Sequence, residues 1–399
     1  MSAIAAETFS ASVSNVASPK AVPDTYGSKA HHLANGKGFT NPWPSLRSLI
    51  IQSNRSRWHN GNLTGPSTKD VPFKVRTPKY LPSRHADNSN LRATWLGHAC
   101  YFVEYPEGLR VLFDPVFSQR CSPISFLGPK RFTDIPGKIA DIPIIDAVCI
   151  SHNHYDHLDL PTIKEIHRLH PSVFFFVPLG NKAWFTSIGI KNCIELDWFE
   201  SRTLTLTPTS TDPDSKTVTT GQAPGSISAT IELLPCQHTS NRGLFDRSLT
   251  LWGSYSVSTA SKSVYFAGDT GYRTVPKPDG YKGYPANDYE HPPFIDLDEC
   301  PAFKTIGDTR GPFDLGLIPI GAYKPRWLFS CMHADPRDAA RIFQDTRCKK
   351  ALAMHWGTWV LTDEDVEEPP VLLRTALKER GIEETGVFDT IAIGESREF

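Results

Sequence analysis

The chain has 399 residues, enough for one large domain or two medium ones. Apolar residues make up 39% and charged residues 21%, the balance of an ordinary soluble globular protein, and the formal net charge is -1. A nucleic-acid binder carries a basic excess to neutralise phosphates, and the total shows none, so nucleic acid is not an expected partner. No apolar run approaches the roughly 18 residues that a spanning helix needs.

Eight cysteines occur without CxxC spacing, and they read as reduced thiols in an intracellular protein. The first twenty residues are rich in Ala and Ser, lack Arg and contain Glu7. They do not read as a secretory signal and make at best a weak mitochondrial presequence. The expected location is cytoplasmic, or peripheral on an internal membrane.

Residues 1–38 show little periodicity and are expected to be disordered. A single domain is expected over 39–399. Ser45 can cap a helix with Leu46, Leu49 and Ile50 on one face. Two readings of the segment 43–58 stand: a helix packed on the domain, or a basic amphipathic surface that touches lipid. Strands are expected at 92–95, 100–104 and 110–113, and a buried strand at 144–150. Asp159 can cap a helix with Ile163, Ile166 and Leu169 at helical spacing. Strands follow at 173–177, 192–196, 203–207, 228–234, 251–257, 263–267, 315–318 and 351–354, with helices at 181–188, 336–344 and 370–380. The polar stretch 208–225 and the Pro-, Gly- and Tyr-rich stretch 276–299 read as insertions. This order suggests two sheets packed face to face with helices outside, an α/β sandwich.

The run His152-Asn153-His154-Tyr155-Asp156-His157 carries the chemistry. It places four metal-capable side chains on a loop between a buried strand and a helix. Mixed nitrogen and oxygen ligands suit Zn²⁺, with iron or manganese as alternatives. Four side chains cannot hold two metals. His238, Asp269 and His355 each follow an apolar run and are the candidates to complete the set.

HxHxDH, a lone His, GDTG and a last His, in that order, resemble the metallo-β-lactamase superfamily. The finer likeness is to the N-acylphosphatidylethanolamine-hydrolysing phospholipases D. It is carried by NPWPS at 41–45, WLGHAC at 95–100, FDPVFS at 113–118, FLGPKRF at 126–132, SHNHYDHLD at 151–159, FAGDTGY at 266–272, GPFDLGLIPIGAYKPRW at 311–327 and MHWGTW at 354–359. The resemblance implies an αββα sandwich holding two zinc ions. One ion would take His152, His154 and His238, the other Asp156, His157 and His355, with Asp269 bridging. It further implies a phosphodiesterase that releases N-acylethanolamine and phosphatidic acid, a membrane phospholipid as partner, peripheral membrane contact and a homodimer. Two such cations lower the pKa of a shared water, and the resulting hydroxide attacks phosphorus.

Around this set, Asp114 is either a turn residue before Pro115 or a carboxylate that orients an imidazole. His333 is either a capping or surface residue or, since the resemblance implies a His near the substrate phosphate, a catalytic group with Asp156 that donates a hydrogen bond or proton to the leaving alkoxide. His98 is either structural or near the metals. Arg326 either binds phosphate or forms a structural ion pair. His31, His32, His59, His85, His167, His170 and His291 are expected to face solvent. Segments 43–58 and 276–299 are the expected lipid contacts. The alternative function is hydrolysis of a soluble substrate such as a lactone, a sugar phosphate or another phosphodiester. A non-enzymatic scaffold would be expected to lack ligands, and all seven are present.

Overall fold

A computed structural model describes residues 9–46, 65–84, 89–209, 225–277, 280 and 283–399. The strands are β1 (Phe9–Asn15), β2 (Arg92–Trp95), β3 (Tyr101–Glu104), β4 (Arg110–Phe113), β5 (Ala147–Cys149), β6 (Phe174–Pro178), β7 (Cys193–Leu196), β8 (Ser201–Pro208), β9 (Ile227–Leu234), β10 (Ser254–Ser258), β11 (Ser263–Phe266), β12 (Leu315–Pro319), β13 (Ala351–Met354), β14 (Phe388–Asp389) and β15 (Ser396–Glu398). The helices are α1 (Asp24–Gly27), α2 (Leu160–Leu169), α3 (Lys182–Ser187), α4 (Ala302–Thr309), α5 (Arg326–Phe329), α6 (Pro336–Asp345) and α7 (Glu368–Glu379). One sheet runs β15-β2-β3-β4-β5-β6-β7 and the other β1-β8-β9-β10-β11-β12-β13-β14. Each is antiparallel at its start and parallel at its end.

The sheets bury one face against each other. Phe113 of β4 stacks on Phe266 of β11 with ring centroids 4.8 Å apart. The Tyr255 hydroxyl of β10 donates to the carbonyls of Ile150 and Phe176 in the opposite sheet. Such buried hydroxyls must find acceptors, so they fix how the layers are seated on each other. The outer face of the first sheet is covered by Ile163 and Ile166 of α2 and Phe185 of α3. The second is covered by α4, α6 and α7 through Phe303, Ile342 and Leu377. This is the four-layer αββα order expected.

Local signals fix the main helices. Asp159 accepts from the Thr162 amide to start α2, and Asp335 with Asp338 forms a capping box before Pro336 in α6. Helix α4 was not among the expected elements. Its Gly307 lies so close to α6 that an added Cβ would fall 1.9 Å from the Asp345 carbonyl oxygen. A glycine inside a helix weakens the local signal, and here it permits the helices to touch.

The N-terminal expectation is corrected. Residues 1–8 lie outside the described set, but Phe9–Asn15 is a strand paired antiparallel with β8 from Phe9↔Pro208 to Asn15↔Arg202. Its Ser-rich alternation, with Phe9, Ala11 and Val13 against the core, hid a period-two pattern under a polar composition. Further on, His31 Nε2 and His32 Nε2 lie 2.7 and 2.8 Å from the two Asp197 oxygens, and Lys29 Nζ lies 3.0 Å away. His31 is therefore buried, not solvent-facing, and its ring stacks on Trp198. Trp43 is also buried, stacked on Trp198 at 5.4 Å, so it does not face lipid. The rest of the expected 45–58 helix lies outside the described residues beyond a 3-10 turn at Pro44–Leu46. His59, His85 and most of 208–225 lie outside them too.

Asp197 thus ties the N-terminal arm to the end of the first sheet. Replacing it by Ala leaves two histidines and a lysine without their common partner. We expect Asp197→Ala to cost roughly 3 kcal/mol in urea unfolding, the low end for breaking a buried pair. Limited proteolysis should then cut the arm between β1 and Phe39 first.

Candidate metal centre

Loops at the ends of four strands deliver the cluster. His152–His157 follow β5, His238 follows β9, Asp269 follows β11 and His355 follows β13 directly. The backbone at the centre is unusual. His98, Asp114 and His355 have φ of 51°, 37° and 63°, a left-handed region that costs a residue with a side chain about 1–3 kcal/mol. Gly268, before Asp269, has φ +60°, and an added Cβ would lie 2.7 Å from Ser151 Cβ. The turn of the GDTG run therefore requires glycine.

The side chains form two groups. His152 Nε2 is 2.8 Å from His154 Nδ1, which is 3.3 Å from His238 Nε2. Asp156 Oδ2 is 3.5 Å from His157 Nε2, 3.6 Å from His355 Nε2 and 3.0 Å from His98 Nε2. Asp269 stands between the groups. Its Oδ2 is 3.1 Å from His157 Nε2, 3.0 Å from His355 Nε2, 3.8 Å from His238 Nε2 and 3.9 Å from His152 Nε2. Tetrahedral nitrogen ligands about 2.0–2.1 Å from a zinc ion lie roughly 3.3–3.4 Å apart, so the spacing suits a metal.

The polar accounting points the same way. His157 Nε2, His355 Nε2 and Asp269 Oδ1 are buried with no hydrogen-bond partner. Native proteins rarely leave such atoms without a partner, and a coordinated cation would satisfy them. The far nitrogens of four rings, by contrast, are held, while His355 Nδ1 has no partner. His238 Nδ1 donates to the Met332 carbonyl at 3.0 Å, and His154 Nε2 to Asn241 Oδ1 at 2.9 Å. His157 Nδ1 donates to Asp114 Oδ2 at 2.7 Å, and His152 Nδ1 lies 2.9 Å from Ser151 Oγ, which itself donates to Asp114. Each of these contacts fixes a tautomer with its lone pair aimed at the centre.

Burial pushes the His152, His154 and His238 imidazoles down, and keeps them neutral as ligands must be. Burial acts on His157 and His355 as well. There Asp269 and Asp156 outweigh it, holding His157 well above the usual range and His355 at about 9. Positive charge is favoured where the two carboxylates meet, whether a proton or a metal ion carries it. Burial would raise Asp156 and Asp269, but His157 and His355 hold both well below the ordinary carboxylate value.

Among the other candidates, Asp114 is fully buried against His157 and Ser151 rather than idle in a turn. His98 reaches Asp156, and burial with His355 nearby lowers it to about 3. His333 Nδ1 is 3.8 Å from Asp269 Oδ2 at the rim, and burial lowers it to about 4. Arg326 is a correction. It is buried with Nη1 2.7 Å from Asp338 and Nε 3.4 Å from both Asp288 and Asp335, so its charge is committed to carboxylates rather than phosphate. Ser151, Asn241 and the Met332 carbonyl were missed. Ser151 adjoins the motif and Asn241 stands three residues after His238, but neither position announces a partner.

A Beta-lactamase superfamily domain matches residues 109–280 and 296–356. The "N-acyl-phosphatidylethanolamine-hydrolyzing phospholipase D 1" of Caenorhabditis elegans is 35% identical over 380 residues, 92% of this chain and 94% of that protein. The chain belongs to this phospholipase family. It is an enzyme, a metal-dependent phosphodiester hydrolase of the beta-lactamase superfamily. The mitochondrial phospholipase of the same description from Saccharomyces cerevisiae is 32% identical over 302 residues, 74% of this chain and 54% of that protein. A possible metal-dependent hydrolase from Veillonella parvula shares the fold, with a TM-score of 0.51 at 16% identity over 77% of this chain and 99% of that one. Within this chain the superfamily match breaks between 280 and 296, inside the stretch read as an insertion. Among its described residues, two aromatic groups are held against the protein. Phe294 is buried, and Tyr289 is sandwiched by Arg273 and Arg341.

The buried histidines make the metal-stripped enzyme sensitive to acid. His98, His152, His154, His238 and His333 have folded pKa values below the unfolded value near 6.5. Below pH 6.5 the unfolded chain takes protons that the folded chain refuses, so stability falls. His157 and His355 run the other way, but below pH 6.5 they are protonated in both states and add nothing to the slope. Urea midpoints of the stripped protein should drop steadily between pH 6.5 and 4.

Proposed function

We propose that the enzyme hydrolyses N-acylphosphatidylethanolamine to N-acylethanolamine and phosphatidic acid, using two zinc ions. The observation that supports this most is Asp269, one oxygen of which lies 3.0–3.9 Å from Nε2 of four histidines drawn from both groups. The 35% identity along 92% of the chain supports the substrate. His152, His154 and His238 would hold one ion, and Asp156, His157 and His355 the other, with Asp269 shared. Bound there, zinc supplies water acidified to hydroxide at neutral pH and positive charge against the phosphoryl oxygens.

The chain's own residues do the rest. Asp156 stays ionised and orients the attacking water by accepting its hydrogen bond. His98 donates to the same carboxylate and fixes its rotamer. Asp114 holds the His157 ring and, through Ser151, the His152 ring. His333, kept neutral by burial, donates an N–H to the ester oxygen that departs with the N-acylethanolamine. The lipid remains in its bilayer, so the enzyme acts as an intracellular peripheral protein. No helix of the described residues is long and apolar enough to cross a membrane. The proposal includes a homodimer, which sedimentation can test.

The test is incubation of the purified protein with vesicles of N-acylphosphatidylethanolamine, read by mass spectrometry. Phosphatidic acid should appear, and His154→Ala should cost several orders of magnitude in rate. Asp114→Asn should lose about 10–100-fold in zinc affinity or rate. Two metal equivalents with no phosphatidic acid, alongside turnover of a lactone or soluble diester, would sink the proposal.

A further inference from the structure

Four large apolar side chains stand almost free in solvent at two loop tips. Phe126 and Leu127 are 80% and 60% exposed, and Leu244 and Phe245 are 91% and 94% exposed. Neither loop is loosely held. Arg120 and Lys130 pair as a bridge that closes the first. The amides of Arg242 and Gly243 donate to the Asp246 carboxylate, and Ser248 N donates to Ser240 O at 2.7 Å, which closes the second. The fold therefore presents these groups outward, against the hydrophobic effect.

Both loops are rooted in the metal-binding segment. Ser118 Oγ donates to the Asp159 carboxylate at 2.8 Å, and Arg242 Nη1 donates to the neighbouring Leu158 carbonyl at 2.8 Å. Asn241, beside Arg242, is the residue that holds His154. Across 119–132 and 239–250, Lys130 and Arg247 are exposed and Arg120 is half-buried, whereas Arg131 and Arg242 turn inward onto backbone carbonyls, and the lone acid is Asp246. Asp246 is already used by its own turn.

From this geometry we infer that the Phe126–Leu127 and Leu244–Phe245 tips insert into an anionic lipid surface and hold the metal centre against it. Resting on the substrate proposed above, the inference puts the lipid-facing side at these loops rather than at the 283–299 segment, whose Phe294 is buried and whose Tyr289 lies between two arginines. Apolar tips enter the acyl boundary while the exposed Lys130 and Arg247 beside them meet phosphate head groups. A bilayer also brings the proposed substrate to loops whose bases contact His154, Leu158 and Asp159.

The test uses the full-length zinc-loaded protein with vesicles of phosphatidylcholine mixed with phosphatidylglycerol. The variants are Leu244→Ser with Phe245→Ser, and Phe126→Ser with Leu127→Ser, checked for folding by circular dichroism and for metal content. Flotation should show vesicle binding reduced about tenfold by each pair. Turnover of vesicle-borne N-acylphosphatidylethanolamine should fall in step, while a short-chain, water-soluble analogue is cleaved at the parent rate. Unchanged flotation overturns the inference, and so does conversion of a dimer to monomer with vesicle binding intact. If the parent binds vesicles through the tips but releases no phosphatidic acid, docking stands and the substrate proposal falls.

Discussion

The structure is organised around the buried Asp269 carboxylate, placed where four imidazole nitrogens converge. Lone pairs facing one another in a dry interior repel, and an ionised carboxylate there is costly unless positive charge compensates it. The flanking anchors make the arrangement persist. Asp114, Ser151, Asn241 and the Met332 carbonyl each grip the far side of a ring, so the rings cannot rotate away to find other partners. Bound divalent metal answers these demands, and its charge suits the hydrolytic chemistry of the superfamily.

The sandwich makes this convergence affordable. Strands pinned by aromatic contacts and buried hydroxyls between the sheets end at one edge, and short loops leave that edge toward a common point. Holding ligands there forces left-handed backbone on His98, Asp114 and His355. The Trp95 indole and the His355 amide both donate to the His98 carbonyl, which braces two of those strained positions against one strand pair. Precision at the centre thus draws on packing some distance away.

Around this core the chain adds parts that shape access. The N-terminal arm extends the second sheet by a strand and is clasped by Asp197. The 283–299 segment contributes Asp288 to a buried network with Arg273, Arg326 and Asp338, next to the helix start that follows His333. The arginine that looked free for phosphate is thereby a brace for the wall beside His333. The Phe126–Leu127 and Leu244–Phe245 tips stay exposed to solvent.

The clustered histidines and aspartates were legible because their signal is local. A His- and Asp-rich run straight after a buried apolar strand, and three further candidates each placed at the end of an apolar run, need no knowledge of distant partners. Most strands and the capped helices α2 and α6 followed from period and capping for the same reason. What the tertiary structure alone decided involves groups far apart in the chain. Phe9–Asn15 becomes a strand only because the edge of β8 is there to pair it, and His31 is buried only because Asp197 and Trp198 meet it. The fate of Arg326, the partner of each imidazole and the exposure of Phe126 and Phe245 likewise depend on which surfaces meet. Burial and hydrogen-bond pairing are properties of the folded chain, whereas ligand chemistry belongs to the side chain itself.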